Sequence, residues 1–339
     1  MEYKIIDQKS LSSWIDNLAG QTEVIGVKRK EGKYDFDKLA NSRELELRYD
    51  VTVLPPSRYI FPPKETLLKF DTVEPKVEPV VGAKSQILVG VHPYDIKAIE
   101  LLDEVFTKDN LDTNYIARRE NTLIVGVDCL NPSPNAFCPS MGTFITDTGF
   151  DLHLTPIGDK YVVAIGTSKG GELLGRAKTK EAKDKDLKKR DEERDKAKGK
   201  YQLSLNLPPE DIPSLLDKSY DNPYWKEKAK DCLSCSSCIM VCPTCFCFDV
   251  QDDVELNLRE GVRFRQWDGC MLADFAKIAT GENFRGDRES RFRHRLYRKG
   301  KYVFERWGKL GCVGCGRCIS ACLAEIASPV EAFNTLKGG

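Results

Sequence analysis

Two stretches of this chain decide its reading: Cys232-Leu-Ser-Cys235-Ser-Ser-Cys238-Ile-Met-Val-Cys242-Pro243 and Cys312-Val-Gly-Cys315-Gly-Arg-Cys318-Ile-Ser-Ala-Cys322. Both follow C-x2-C-x2-C-x3-C, the run with which thiolates hold [4Fe–4S] clusters in two-cluster proteins. Thiolates suit iron because they are soft, anionic donors that lose their proton on binding. The first three cysteines of such a run wrap one cube, and the fourth, on the following helical turn, ligates the other. This assigns Cys232, Cys235, Cys238 and Cys322 to cluster one, and Cys312, Cys315, Cys318 and Cys242 to cluster two. Zinc, the competing metal, usually takes two plus two ligands across a loop, so the spacing favours two 4Fe-4S clusters. Pro243 follows the first quartet, whereas Leu323 stands at the matching place after the second.

The chain has 339 residues and thirteen cysteines, so the quartets leave five over: Cys129, Cys138, Cys245, Cys247 and Cys270. Cys245-Phe-Cys247 puts two thiols on one side of an extended segment, and Cys270 follows Trp267-Asp-Gly. These three form a candidate third metal site, weighed against the ordinary reading of free cysteine as a small core residue. The glycines Gly311, Gly314 and Gly316 are expected to let backbone N–H groups approach the sulfurs of cluster two. His92, His153 and His294 are dispersed and read as structural, and no nucleophilic or His-Glu-x-x-His arrangement is present.

Working outward, residues 1–175 read as a mixed α/β domain. Ile87–Val91 is a strand candidate, Ile96–Phe106 has apolar residues at helical spacing, and a second apolar run follows at Leu123–Val127. Gly166-Thr-Ser-Lys-Gly-Gly171 lacks the spacing of a dinucleotide or phosphate loop, so no flavin or nicotinamide site is expected in this domain. Residues 176–219 begin with a run of alternating charge that fits a solvated helix or flexible tether. Residues 220–339 carry the quartets, separated by 69 residues between Cys242 and Cys312. With Met271–Ile278 apolar at helical spacing, a helical insertion is expected there, and hence an α-helical ferredoxin-type domain. The fold class is α+β. The basic run Arg285, Arg288, Arg291, Arg293, His294, Arg295 and Arg298 is suited either to screening the clusters or to docking an acidic partner.

Lys plus Arg and Asp plus Glu both total 52, which gives no reason to expect nucleic acid as a partner. No apolar run approaches the ~18 residues of a membrane span, and the first residues lack the order of a secretory signal. An odd cysteine count in metal-ligand spacing then points to a reducing, cytoplasmic setting rather than to disulfides.

Several further stretches carry a family resemblance: Cys242-Pro-Thr-Cys245-Phe-Cys247-Phe-Asp-Val250, Arg265-Gln-Trp-Asp-Gly-Cys270, Gly281-Glu-Asn-Phe-Arg285, Gly90-Val-His-Pro-Tyr-Asp95 and Phe137-Cys138-Pro-Ser-Met-Gly142. The chain resembles the iron–sulfur β subunit of cytosolic NAD(P)-linked nickel–iron hydrogenases (sulfhydrogenases) and, equally, the corresponding iron–sulfur subunit of anaerobic sulfite reductase. The resemblance implies an electron-transfer protein that stands between a flavin/NAD(P)-binding reductase subunit and a catalytic redox subunit. The catalytic partner is a nickel–iron hydrogenase or, alternatively, a sulfite reductase or heterodisulfide-type enzyme. A reductase with its own active site at the extra cysteines, and a zinc-stabilised binding module, are the readings from other classes. Where relatives commonly carry cysteine, this chain has Tyr94 and Ala136, so the cluster those positions share with Cys129 and Cys138 is not transferred.

Overall fold

The computed structural model describes residues 1–338. Its strands, numbered along the chain, form two sheets. Glu2–Asp7 (β1), Glu23–Lys30 (β2), Lys33–Lys38 (β3), Gln86–Val91 (β6), Thr122–Val127 (β7), Leu152–Pro156 (β8), Lys160–Ile165 (β9) and Lys180–Glu181 (β10) make an eight-stranded sheet in the order β10-β1-β9-β8-β7-β6-β2-β3. The central β2, β6, β7 and β8 run parallel, and the outer strands are antiparallel. Lys64–Asp71 (β4), Lys76–Pro79 (β5), Phe248–Val254 (β11) and Glu260–Trp267 (β12) form an antiparallel sheet in the order β11-β12-β4-β5.

The strand–helix–strand unit expected near residue 90 is present. All six residues of β6 are buried, as an interior parallel strand covered on both faces requires. Pro93 then opens the helix Pro93–Thr107 in its first turn, where its missing N–H costs nothing. Ile96, Ile99, Leu102 and Phe106 of that helix pack onto β6 and β7 within the main core.

The charged stretch after residue 175 forms a helix over Asp184–Lys198, but it is no free tether. Leu187 packs beside Ile5, Ile157 and Val162, and Arg194 reaches Asp128 at 2.7 Å. Asp128 also accepts from Thr155 Oγ1 at 2.5 Å and faces His153 Nε2 at 2.9 Å.

Between the quartets the expected helical insertion is found only from Arg288 onward, and the stretch before it is corrected. Its first part is the β11–β12 hairpin, which pairs with β4 and so joins the cysteine-rich segment to the N-terminal one. The register sets Arg265 opposite Glu65, and the guanidinium donates to that buried carboxylate at 2.5 Å. Met271–Ile278 is not helical: Ile278 N–H donates to Glu282 and Phe284 N–H to Ala276, folding the segment back on itself. A helix begins only at Arg288–Tyr297, continues through a wide π-type turn at Arg298–Tyr302, and ends over Val303–Trp307. No helix among the described residues is long and apolar enough to cross a membrane.

Asp128 is buried, which alone would raise its pKa, but His153 and Arg194 hold it well below the ordinary carboxylate range. Its stabilising contribution is therefore present above the ordinary pKa of about 3.9 and is lost only as pH falls well below that value. Asp128→Ala is expected to cost about 3–5 kcal/mol, because Arg194 loses its counter-charge and His153 its hydrogen-bond partner. Hydrogen exchange is expected to show helix Asp184–Lys198 released; a helix that stays protected in the variant would show that Arg194 does not anchor it.

Candidate metal centres

The two cysteine loops share one backbone design. In the first, Ser234 and Ser236 have φ of +52° and +64°; in the second, the matching Gly314 and Gly316 have +67° and +79°. A short helix follows each, Ser237–Met240 and Arg317–Ser320. Serine in the first loop shows that left-handed backbone alone does not demand glycine in the second. Close approach does. A Cβ on Gly314 would lie 2.7 Å from the Cys138 backbone, and one on Gly316 would lie 2.5 Å from the carbonyl of Asn135. Gly314 O also accepts from Phe137 N–H at 2.7 Å. To the role expected from sequence, the structure adds that these glycines seat the second loop against residues 135–138.

Cys232, Cys235 and Cys238 of the first run and Cys322 of the second line one small cavity, closed by Met271, Phe292 and Arg295. Cys242, Cys312, Cys315 and Cys318 gather deeper, where the Cys242 charge bears on each of the other three. Burial pushes the Cys312 thiol up to about 11 and that of Cys315 to about 12. Cys242 moves the other way, lowered by a hydrogen bond from Cys245 and by the Lys299 ammonium. Metal must displace protons from the raised thiols, so iron loading and pH are coupled. Among the described residues, no three His, Cys, Asp or Glu side chains converge on the spacing of a single metal ion.

Cys245, Cys247 and Cys270 line a separate cavity of about 240 Å³. Cys129 and Cys138 are buried elsewhere, in a cluster with Tyr94, Val313 and Cys315. The Cys138 thiol donates to Tyr201 Oη at 3.1 Å, and Tyr94 Oη lies 2.7 Å from His92 Nδ1. Aromatic rings thus occupy the space beside these two thiols.

The basic run contributes an inward row. Arg291, Arg295 and Lys299, four residues apart, are all buried. Arg291 Nη2 donates to Ser234 Oγ at 3.1 Å and Lys299 Nζ to Thr244 Oγ1 at 2.8 Å. Arg295 Nη2 donates to the Ala327 carbonyl at 3.0 Å, while its Nε and Nη1 have no partner. Buried cations need counter-charge, and anionic thiolate-bound clusters in the two quartets fit that need. Sequence reasoning passed over Lys299; its spacing of four from Arg295 was the available signal. His294, read as structural, is among the residues that line the 240 Å³ cavity.

Residues 231–326 match the family described as a 4Fe-4S dicluster domain, which makes this an iron–sulfur protein. The chain is also 34% identical over 328 residues to the sulfhydrogenase 2 subunit beta of Pyrococcus furiosus, with 96% of each chain covered. It belongs to the sulfhydrogenase beta subunit family, as the motifs outside the quartets led one to expect.

The loop equivalence has a reciprocal test. Gly316→Ser is expected to destabilise by about 1–3 kcal/mol through overpacking against Asn135 and to lower iron retention, whereas Ser236→Gly is tolerated. Thermal melting and iron analysis of the pair check this, and equal behaviour of the two variants would refute the close-approach argument.

Proposed function

We propose that this chain is the electron-transfer subunit of a sulfhydrogenase-type complex, relaying single electrons through two [4Fe–4S] clusters. The terminal partners are a flavin/NAD(P)-binding reductase subunit and a nickel–iron hydrogenase subunit. One observation carries the reading: thiols from both runs, Cys232, Cys235, Cys238 and Cys322, line the same cavity. This shared lining supports the crossed ligation expected of the spacing. Cys242, Cys312, Cys315 and Cys318 then hold the second cluster.

When bound, the clusters supply reversible one-electron redox chemistry. The protein's part is electrostatic and steric. Arg295 sets a fixed positive charge beside the first quartet, and Lys299 does the same for Cys242. Burial and hydrogen bonding of this kind tune cluster potential. Crossing the fourth ligands ties the two centres to one another, so their separation does not drift. Leu233 and Leu323 leave the rim of the first cavity apolar and exposed, in keeping with electron exchange across a protein contact.

Paired substitutions test the ligand sets. Cys232→Ser with Cys322→Ser is expected to remove one cluster in total, about four irons, because both belong to the same cube. Cys232→Ser with Cys242→Ser is expected to remove both, about eight. The reverse pattern would mean that each run binds its own cluster. In protein purified without oxygen, EPR of the reduced chain is expected to show two interacting spins; non-interacting signals would count against a relay.

A further inference from the structure

The cavity of about 240 Å³ lined by Cys245, Cys247 and Cys270 lies outside both quartets. Its wall also carries Arg285, Arg295, Arg298 and Lys299, four cations against the single carboxylate of Asp268. Arg295 is 2% exposed, and its Nε and Nη1, like the buried Nε of Arg285, have no hydrogen-bond partner. Arg295 is shared with the cavity of the first quartet, but Arg285, with its unpartnered Nε, and Arg298 line this chamber and not that one, so cations beyond those beside the quartets favour an anion here. Cys245 and Cys270 do pack against the apolar cluster around Trp225 and Phe292, as a core-filling cysteine would, but with Cys247 they also line a chamber into which cations project. Soft donors converging in positive surroundings specify a thiolate-bound metal cluster.

We propose that Cys245, Cys247 and Cys270 hold a third iron–sulfur cluster, beyond the two of the dicluster family, with a non-cysteine fourth ligand supplied by Asp268 or His294. These are the remaining side chains of ligating type on the cavity wall. Asp268 is placed by its own N–H, which donates to the Cys247 carbonyl at 3.1 Å, and it lies two residues before Cys270. His294 enters from the neighbouring helix. The site adjoins both quartets: Arg295 lines this cavity and that of the first quartet, and Thr244 on its wall lies with Oγ1 3.3 Å from Cys242 Sγ. The third centre is thus a branch in contact with both members of the relay, a position that rests on the two-cluster reading above.

Iron and acid-labile sulfide are to be counted in the full-length chain purified without oxygen, together with EPR of the reduced protein. About twelve irons are expected per chain, against about eight for two clusters alone. Cys270→Ala and Cys247→Ser are each expected to remove about four irons and one EPR component, leaving the paired signals of the quartets and the circular dichroism unchanged. A wild-type count of about eight, with no iron lost in either variant, would overturn the proposal. Cys232→Ser is the control for the underlying reading: if it too loses no iron, the two-cluster assignment has failed, and this is distinguishable from failure of the third site alone. Either Asp268→Ala or His294→Ala is expected to shift the g-values of the third component; unchanged g-values in both would overturn the non-cysteine ligand.

Discussion

A guanidinium shut away from water holds the second cysteine loop to the rest of the molecule. Arg317, between Cys315 and Cys318, donates to both oxygens of Asp95 at 2.6 and 2.7 Å and to the Thr52 carbonyl at 2.9 Å. Both members of the pair are buried. Such a pair is weak evidence for stability in itself, since desolvation offsets much of the attraction. Its geometric effect is firmer, because Asp95 lies in the first turn of the helix that follows β6. The position of one cysteine loop is thereby referred to the centre of the parallel sheet.

The two quartets consequently live in different surroundings. In the first, Cys235 is exposed, and Leu233 and Leu323 stand 60% and 83% exposed beside it. In the second, Cys315 is buried among Tyr94, Cys129 and Cys138. The first quartet faces outward, and the second faces the N-terminal segment, where Tyr94 packs beside it. The cationic row of Arg291, Arg295 and Lys299 runs between these surroundings, on the helix and π-type turn of the intermotif segment. A π-type turn is a frequent companion of functional sites, and here it contains Lys299.

What was legible in the sequence was what is local. The β6–helix–β7 unit could be read because its apolar periodicity is contiguous, and the quartets because ligand spacing is a short-range code. The β4–β12 pairing was not legible, since Glu65 and Arg265 stand 200 residues apart and neither strand announces its partner. Met271–Ile278 misled because apolar residues at three and four places do not reveal where the N–H groups will bond. The arginines were ambiguous for a related reason: a charged row spaced by four looks the same whether it faces water or thiols. Gly316 was read as letting N–H groups approach the cluster sulfurs, when its want of a side chain against Asn135 is the requirement the fold imposes.

The β4–β12 ladder also bears on how the protein is made. Synthesis delivers β4 and β5 long before β12, and N-terminal segments generally fold first. Through that interval one flank of β4 is an unpaired strand edge, the kind of surface on which chains associate wrongly. Pairing over such a separation is also intrinsically slow. The hairpin that closes this edge lies between the two cysteine runs, so the last thiols to emerge, Cys312–Cys322, follow the segment that completes the sheet. The hazard of that interval is self-association through the open strand edge.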